Sequence, residues 1–230
     1  MARNLRKGLF ITATDTGAGK TWTTIAIMSA LRRQGMRVAG MKPVATGCEE
    51  TAAGLRNADA LSLQAGSSVS GAYEIINPYA FKPPIAPHLA ALDAGIEIEM
   101  DRIITAYAAL SDHSDMVLVE GVGGWRVPLG SGRFLVDLVR LLKLPVVLVV
   151  GLRLGCINHA VLTAEVMEAD GVQLTGWVAN LVDPDYTEGQ RTIDTLTASI
   201  PAPLLAALPF LPIFDAGRLA GYFNVAYLQR

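Results

Sequence analysis

The chain of 230 residues is 51% hydrophobic and only 17% charged, whereas charged residues make up roughly 25% of an average soluble protein. So many apolar side chains would collapse in water, which excludes a disordered chain. The net charge of -2 arises from 19 basic and 21 acidic residues without a long run of either sign, so the basic footprint of a nucleic-acid binder is absent. We therefore expect a globular protein that does not bind nucleic acid.

Two segments need to be considered as possible membrane or targeting signals. The most apolar stretch, residues 144–152, is flanked by charged residues and is much shorter than the roughly 20 apolar residues that span a bilayer. At the N-terminus, Arg3, Arg6 and Lys7 precede a short apolar segment that lacks a small-residue cleavage pattern. We interpret this region as the approach to a first strand, and we expect no membrane segment.

The cysteine content points to a reducing compartment. Cys48 and Cys156 are too few for a disulfide framework, and their separation does not match a zinc site or a thioredoxin-type pair. We therefore expect a cytoplasmic protein.

Five short segments are rich in Val, Ile and Leu at successive positions, which is typical of strands buried on both faces. They are residues 9–14, 37–44, 116–120, 146–151 and 174–181. Helix-length segments lie at residues 20–34, 103–110, 135–142, 158–169 and 188–199, and Gly171 suits the C-terminal cap of the fourth. This alternation predicts an α/β fold, a mostly parallel sheet with helices on both faces, as a single domain over residues 1–230.

The segment after the first predicted strand resembles a phosphate-binding loop: Thr14-Asp15-Thr16-Gly17-Ala18-Gly19-Lys20-Thr21. Glycines allow the backbone to direct N–H groups at phosphate oxygens near a helix N-terminus. In such a loop Lys20 contacts the β- and γ-phosphates and the Thr21 hydroxyl binds magnesium. The strict pattern has glycine where this chain has Thr14, so we expect a variant loop that is one residue longer. A glycine-rich turn without a ligand is the alternative, but the flanking strand and helix favour nucleotide binding.

Three charged residues beyond the loop are candidates for the same site. Glu120 ends a buried strand and precedes the glycine-rich stretch Gly121-Val122-Gly123-Gly124, where a carboxylate can meet the metal ion that phosphoryl transfer needs. Lys42 ends the second predicted strand and could hold an anionic substrate or neutralise a phosphoryl group, although a surface lysine is equally compatible. Asp59 is as consistent with a solvated helix face as with a metal ligand.

These residues, taken together with several further blocks, resemble the dethiobiotin synthetase family. The blocks occur in family order over most of the chain. They are Thr14-Asp15-Thr16 with Gly19-Lys20-Thr21, Lys42-Pro43-Val44-Ala45, Gly54-Leu55-Arg56-Asn57-Ala58-Asp59-Ala60, Asn77-Pro78-Tyr79 with Pro87-His88, Val119-Glu120-Gly121 with Gly123-Gly124-Trp125, Leu154-Gly155-Cys156-Ile157-Asn158-His159, and Gly176-Trp177-Val178-Ala179-Asn180.

The resemblance implies a magnesium- and ATP-dependent ligase of the penultimate step of biotin synthesis. In this family the 7-amino group of 7,8-diaminononanoate takes up CO2, supplied from bicarbonate, as a carbamate. ATP phosphorylates the carbamate, and the neighbouring amine attacks the mixed anhydride to close a cyclic urea. ADP and phosphate are released. The implied partners are therefore ATP, the diamine, CO2 and a second copy of the chain.

The resemblance also implies roles for individual residues. The triphosphate would be held by Thr16, Gly17, Ala18, Gly19, Lys20 and Thr21 with Gly121, Val122 and Gly123, and magnesium by Thr21, Asp59 and Glu120. Lys42 and Lys20 would act on the reacting groups. The diamine would contact Thr16, Lys42 and Thr46, together with Gly155, Cys156 and Asn158 from across a homodimer interface. Asn180 would bind the adenine edge, with backbone from Pro209, Phe210 and Leu211.

Some residues depart from the family pattern or invite another role. Ala13 stands in place of a usual glycine and Gly17 in place of an acidic residue found in some members, while the chain after Leu211 matches weakly. Cys156 and His159 would suit a nucleophile with its base, but a cysteine at a helix start is more often a packing residue. The family needs no covalent cysteine.

Two other protein classes share features with the sequence. Partition and septum-site ATPases have a related loop with a signature lysine at the position of Asp15, and they often end in a basic amphipathic helix. The end of this chain, Tyr227-Leu228-Gln229-Arg230, is not such a helix. Synthetase domains of cobyrinic-acid-type amidotransferases normally adjoin a glutaminase, for which 230 residues leave no room. Both classes fit less well than the dethiobiotin synthetases.

Overall fold

A six-stranded parallel sheet is the centre of the computed structural model, which describes residues 8–228. The strands are β1 (Gly8–Ala13), β2 (Val38–Met41), β3 (Val44–Ala45), β4 (Glu49–Thr51), β5 (Gly54–Arg56), β6 (Tyr79–Ala80), β7 (Met116–Glu120), β8 (Pro128–Gly130), β9 (Arg133–Phe134), β10 (Val146–Leu152), β11 (Leu174–Leu181) and β12 (Leu204–Leu208). The helices are α1 (Lys20–Arg33), α2 (Ala58–Gly66), α3 (Tyr73–Ile76), α4 (Pro87–Asp93), α5 (Met100–His113), α6 (Leu135–Leu142), α7 (Cys156–Ala169), α8 (Gly189–Ser199) and α9 (Ala216–Ala220), with a 3-10 turn at Val225–Tyr227.

The order of strands in the central sheet determines which loops meet. The order is β12-β11-β10-β1-β7-β2, with every neighbouring pair parallel. The carboxyl ends of β1, β7 and β2 are therefore adjacent, and they carry the phosphate loop, Glu120 and Lys42. Because Met41 is in register with Val119, the residues that follow them, Lys42 and Glu120, emerge side by side. A parallel sheet thus gathers residues that are distant in sequence.

Apolar side chains cover both faces of this sheet. Along β1, Phe10 points into one core, whereas Leu9, Ile11 and Ala13 point into the other. Helices α1, α2 and α9 pack on the second face, and α5, α6, α7 and α8 pack on the first. The predicted α/β fold with a covered parallel sheet is therefore confirmed. Gly171 follows α7 with a φ angle of 67°, as expected for a C-terminal cap.

Two features of the sheet differ from the sequence prediction. Residues 37–44 do not form one strand, because β2 ends at Met41 and the Lys42 backbone N–H donates to the Ile76 carbonyl (2.8 Å) outside the sheet. Pro43, which has no N–H, follows, and Val44 pairs with Tyr79 in a separate two-stranded sheet. The edge strand β12 was missed because its Leu-Leu-Ala-Ala-Leu sequence is short and lies close to prolines.

The predicted lead-in to the first strand, with Arg3, Arg6 and Lys7, lies outside the described residues. Within residues 8–228, no helix combines the length and apolar character needed to cross a membrane.

Candidate active site

The phosphate loop connects β1 to α1, and its backbone conformation favours glycine at two positions. Its first residue, Thr14, donates its backbone N–H to the carbonyl of Val149 in β10 (3.2 Å). Gly17 and Gly19 have φ angles of 81° and 87°, in the left-handed region that favours glycine. A Cβ atom on Gly19 would lie 2.0 Å from Nδ2 of Asn180, so only glycine fits there. The loop conformation therefore requires the glycines of the motif.

Ala13, which departs from the family's glycine, is the last residue of β1, and its side chain is fully buried. Within residues 8–228, positive φ angles outside glycine occur at Ser131 and Lys143, so Ala13 has an ordinary backbone conformation. The absence of glycine at this position therefore causes no backbone strain.

Lys20 is the first residue of α1, and its ammonium lies under the loop. Its Nζ donates to the carbonyl oxygens of Asp15 (3.0 Å) and Gly123 (2.7 Å), and the residue is 8% exposed. Burial and the nearby charge of Lys42 lower the pKa of Lys20 to about 8, although nearby carboxylates act in the opposite direction. Phosphate oxygens can replace these two carbonyl acceptors, so the ammonium is suitably placed for a triphosphate.

Lys42 is a buried cation, not the surface lysine that the sequence also allowed. It is 3% exposed. Its Nζ donates to Glu120 Oε1 (2.7 Å), Asp59 Oδ2 (3.1 Å) and the Gly121 carbonyl (3.2 Å). Asp59 thus joins Lys42 and Glu120 in one cluster, and its side chain is 44% exposed.

Opposing effects determine the protonation states in this cluster. Burial alone would lower the pKa of Lys42, but the carboxylates of Glu120 and Asp59 outweigh it, so the pKa lies above its ordinary value. Partial burial raises the pKa of Asp59, but the Lys42 ammonium outweighs this effect and the pKa is lowered. Lys42 is therefore cationic and Asp59 anionic at neutral pH.

Thr21, Asp59 and Glu120 bring hard oxygen donors close to one another. The Thr21 hydroxyl donates to Glu120 Oε1 (2.9 Å), while Glu120 Oε2 is fully buried and has no hydrogen-bond partner among residues 8–228. An unpartnered buried carboxylate oxygen is costly, which suggests a cation as its partner. The part of the chain from 8 to 228 contains no cluster of three or more His, Cys, Asp or Glu side chains suited to a metal. The donor set nevertheless fits Mg²⁺, which commonly takes one or two carboxylates and completes its shell with phosphates and water.

A buried chain of hydrogen bonds holds the backbone on which Lys42 lies. The Asn57 N–H donates to the Tyr73 hydroxyl (2.7 Å), which donates to Asn77 Oδ1 (3.0 Å), and Asn77 Nδ2 donates to the Lys42 carbonyl (2.7 Å). Asn57 Nδ2 also donates to the Thr46 carbonyl (3.3 Å). No functional role was predicted from the sequence for Asn57, Tyr73 or Asn77. The available signal was the position of Asn57 before α2, whose first turn it caps.

Two cavities meet at the phosphate loop. The smaller, of about 350 Å³, is lined by Lys20, Thr21, Lys42, Asp59 and Asn57 among others, and we call it the phosphate cavity. The larger, of about 900 Å³, extends from Thr14 and Asp15 to Trp125 and to Leu162 and Val166 on α7. Thr16, Thr46, Val122 and Gly123 line both cavities. The predicted substrate residues Thr16 and Thr46 therefore lie where the two cavities join.

A third cavity, of about 220 Å³, lies at the other end of the loop, and we call it the base cavity. It is lined by Gly17, Gly19, Trp22, Asn180, Leu181, Val182, Pro209, Phe210 and Leu211. Asn180 is 8% exposed, and its Nδ2 donates to the Ala18 carbonyl (2.9 Å), which fixes the orientation of the amide. The residues predicted to surround adenine are thus brought together, but Leu211 is largely buried in the core.

The turn before α7 lies apart from the phosphate loop. Gly155, Cys156 and Asn158 line neither the phosphate cavity nor the 900 Å³ cavity of their own chain. The Cys156 thiol is buried in the core, and the Cys156 N–H donates to the Arg153 carbonyl (3.1 Å). Cys156 is therefore a packing residue within its own chain, and an exposed nucleophile is excluded. Gly155 and Asn158 are exposed, and the neighbouring Leu154 is 92% exposed.

An ion pair that the sequence did not indicate connects this turn to the phosphate loop. Arg153 Nη2 donates to Asp15 Oδ2, and Asp15 Oδ1 accepts a hydrogen bond from the Thr14 hydroxyl (3.1 Å). The Asp15 carbonyl is also an acceptor for Lys20. Asp15, at the position of the signature lysine of the partition ATPases, is therefore part of the loop's scaffold here.

Comparison with known proteins agrees with this architecture. The structure is similar to the MinC:MinD cell division protein complex of Aquifex aeolicus, with a TM-score of 0.58, 15% identity and coverage of 95% of this chain and 87% of that one. At such low identity the likeness concerns the fold alone. A family model described as an AAA domain matches residues 7–218. The chain thus has the fold of P-loop nucleoside triphosphatases.

Curated proteins that are similar in sequence identify the family more specifically than the fold does. The chain is 53% identical over 217 residues to the ATP-dependent dethiobiotin synthetase BioD of Pseudomonas aeruginosa, covering 94% of this chain and 95% of the relative. It is 49% identical to that of Xanthomonas oryzae pv. oryzae, covering 92% and 94%. It is 46% identical to that of Cellvibrio japonicus, covering 97% and 98%. The chain belongs to the family of ATP-dependent dethiobiotin synthetases, which are ligases.

Proposed function

We propose that the protein joins CO2 to 7,8-diaminononanoate and closes the cyclic urea of dethiobiotin at the expense of ATP. One amine attacks CO2, forms a C–N bond and loses a proton, which gives a carbamate. A carbamate oxygen then attacks the γ-phosphorus of ATP, and the bond to ADP breaks. The second amine attacks the carbonyl carbon, loses a proton and expels phosphate, which forms the second C–N bond. This would be the penultimate step of biotin synthesis, in the cytoplasm.

The buried ammonium of Lys42 is the observation that carries this proposal. It lies at the end of β2 within the phosphate cavity, which joins the 900 Å³ cavity through Thr16 and Thr46. A carbamate and a γ-phosphate that meet at this junction are both anionic, and they would repel each other without a cation between them. Because the pKa of Lys42 lies above its ordinary value, its charge is present throughout the neutral range.

Other residues of the chain would position the nucleotide. Lys20 would exchange its two carbonyl acceptors for oxygens of the β- and γ-phosphates, and the N–H groups from Thr16 to Thr21 would contact the same phosphates. Gly121, Val122 and Gly123 would approach from the other side, with the Lys42 ammonium fixed against the Gly121 carbonyl. Asn180 would contact the adenine edge from the base cavity, beside Pro209 and Phe210.

Magnesium would be held by Thr21, Asp59 and Glu120, the three oxygen-bearing side chains of the cluster. When bound, it would neutralise charge on the phosphates during phosphoryl transfer. The unpartnered Glu120 Oε2 supports this assignment. Glu120 would at the same time continue to orient the Lys42 ammonium.

We further propose that the diamine site is completed by a second copy of the chain. Leu154 is 92% exposed, Leu162 is 52% exposed and Ile157 is 37% exposed, so α7 and the turn before it present an apolar surface. Leu162 also lines the 900 Å³ cavity, so this surface borders the cavity. A partner docked there could supply exposed groups of its turn 155–158, chiefly at Gly155 and Asn158.

The proposal is tested by incubating the purified protein with ATP, Mg²⁺, bicarbonate and 7,8-diaminononanoate. We expect one ADP and one phosphate for each ring closed, with the cyclic urea identified by mass spectrometry. Omission of the diamine should abolish ATP consumption. Turnover of ATP at the same rate without the diamine would refute the proposal, as would consumption of the diamine without ATP.

A further inference from the structure

A tryptophan lies where the phosphate cavity meets the base cavity. Trp22, the third residue of α1, lines both of them. It is 37% exposed, whereas Trp125 and Trp177 are 4% and 0% exposed. Packing within the chain therefore leaves more than a third of the Trp22 surface uncovered. A large aromatic side chain that lines a cavity and stays partly exposed is better explained by contact with a ligand than by packing in the core.

The indole is held in place by an aromatic neighbour. The ring centroids of Trp22 and Phe214 are 5.1 Å apart, with the planes inclined by 45°. Phe214 packs against the core and does not line the base cavity. Trp22 is thus supported by Phe214 at one part of its surface and borders the cavity at another. A supported ring loses little conformational entropy when a ligand packs against it.

The chemistry of the base cavity indicates what would pack there. None of the described residues that line it is charged, and Asn180 supplies the polar side-chain group beside Trp22, Phe210 and the aliphatic residues. One amide within apolar walls suits a flat heterocycle with polar edges better than it suits a phosphate or a sugar. Gly17 and Gly19 line both the base cavity and the phosphate cavity, so the two cavities are connected along the phosphate loop.

We propose that the indole of Trp22 is a stacking surface for the nucleobase. Its contribution to binding energy would be independent of the hydrogen bonds made to the edge of the base. This inference rests on the proposed use of ATP and extends it to a residue outside the family blocks. Stacking against an aromatic side chain is tolerant of base identity because every base has a π face. The amide of Asn180 would then account for selectivity, and Trp22 for affinity.

The test compares a base-containing ligand with a base-free one on the full chain without diamine. Binding of ATP and of inorganic tripolyphosphate is measured by calorimetry for wild type, Trp22→Leu and Trp22→Phe. Leucine keeps an apolar contact for Phe214 but has no π face, whereas phenylalanine keeps one. We expect Trp22→Leu to weaken ATP binding about tenfold and Trp22→Phe to retain most of the affinity. Tripolyphosphate should bind all three proteins equally.

Tryptophan fluorescence provides a second measurement on the same proteins. ATP should change the emission of the wild type, and tripolyphosphate should change it much less. In Trp22→Phe the response to ATP should fall to the small response seen with tripolyphosphate, because neither Trp125 nor Trp177 lines the base cavity.

Some results would overturn the inference. Unchanged ATP affinity in Trp22→Leu would do so, and so would an equal loss of ATP and tripolyphosphate binding, which would indicate a role in positioning the loop. Wild-type protein that binds ATP in a Trp22-dependent way but closes no urea ring would support this inference and refute the proposed function. Failure of this inference and failure of the proposed function would therefore give different results.

Discussion

The ammonium of Lys42 and the carboxylate of Glu120 form a 2.7 Å ion pair in which the lysine side chain is 4% exposed and the glutamate side chain 0%. The pair exists because β2 and β7 are neighbours in the sheet and end in register. Two buried charges compensate each other, and the removal of either one leaves the other without compensation in a medium of low polarity. The pair is thus important for stability as well as for the proposed chemistry.

Replacement of Lys42 should therefore have two separable effects. For Lys42→Met we expect loss of turnover with nucleotide binding largely kept, because Lys20 and the loop are unchanged. We also expect a loss of about 3–5 kcal/mol in the free energy of unfolding, because Glu120 is left as a buried charge without its cation. Denaturant unfolding in EDTA measures the second effect.

The matched control is the double variant Lys42→Met/Glu120→Gln. Removal of the glutamate charge should restore a large part of the lost stability, while activity stays absent. A double variant less stable than Lys42→Met would show that the two charges do not compensate each other. Normal turnover by Lys42→Met would show that the lysine has no catalytic role.

The sequence predicted those parts of the site that lie within one continuous segment. The phosphate loop with Lys20 and Thr21 was recognisable because a strand, a glycine turn and a helix start are adjacent in the chain. The burial of Lys42 was not predictable, since it depends on the register between β2 and β7. The Arg153–Asp15 pair joins residues 138 apart, and no local pattern reveals it. The position of Trp22 in a cavity was not predicted, because helical spacing does not distinguish a residue that lines a cavity from one that packs in the core.

The pKa of Lys20 leads to a prediction about nucleotide binding and pH. In the free protein this pKa is about 8. Bound phosphates would raise it, so nucleotide binding at about pH 8.5 should take up a fraction of a proton. Calorimetry in buffers of different ionisation enthalpy measures this uptake. Lys20→Arg, whose guanidinium stays protonated, should show none of it. Binding by wild type without proton uptake would contradict the low pKa.

The same pKa predicts the sign of a change in stability. In the unfolded chain lysine keeps its proton up to its ordinary pKa of 10.5, whereas folded, nucleotide-free protein loses it near 8. The unfolded state therefore binds more protons between these values, and the contribution of Lys20 to stability should increase with pH across that window. Lys20→Arg should lack this increase when unfolding is compared at several pH values.

The pair of Arg153 and Asp15 should affect turnover more than stability. Their side chains are 39% and 30% exposed, and such a pair contributes at most about 1 kcal/mol to folding. It nevertheless holds the phosphate loop against the segment before α7. We expect Arg153→Gln to lower kcat about tenfold through misplacement of the loop, with a small change in Tm.

Two further variants test whether this effect comes from the pair itself. Asp15→Asn combined with Arg153→Gln should be no worse than either single change, because both remove the same interaction. Arg191→Gln is the matched control, since Arg191 pairs with Glu188 on the exposed surface. Additive losses in the double variant, or an equal loss in Arg191→Gln, would exclude a positioning role for the pair.

The proposed second copy should be sensitive to a charge at Leu154. Leu154→Asp should shift the protein toward monomer in light scattering and reduce diamine-dependent turnover. Its fold should be unaffected, because the 92% exposed side chain contributes little to the core of its own chain. Ile213, which is 80% exposed and does not belong to the surface formed by α7 and the turn before it, provides the control, and Ile213→Asp should leave the oligomeric state unchanged. A monomer with full activity would contradict the proposal.

A shared site also predicts complementation between two defective chains. Lys42→Ala lacks the cation of the phosphate cavity, and Asn158→Ala alters only the exposed turn that would reach into the partner. After mixing and exchange of subunits, a mixed dimer would contain one site in which both residues are intact. Random exchange should therefore restore about a quarter of wild-type activity, because half of the dimers are mixed and each has one competent site. Activity of the mixture equal to the mean of the two parents would instead show that each chain contains its complete site.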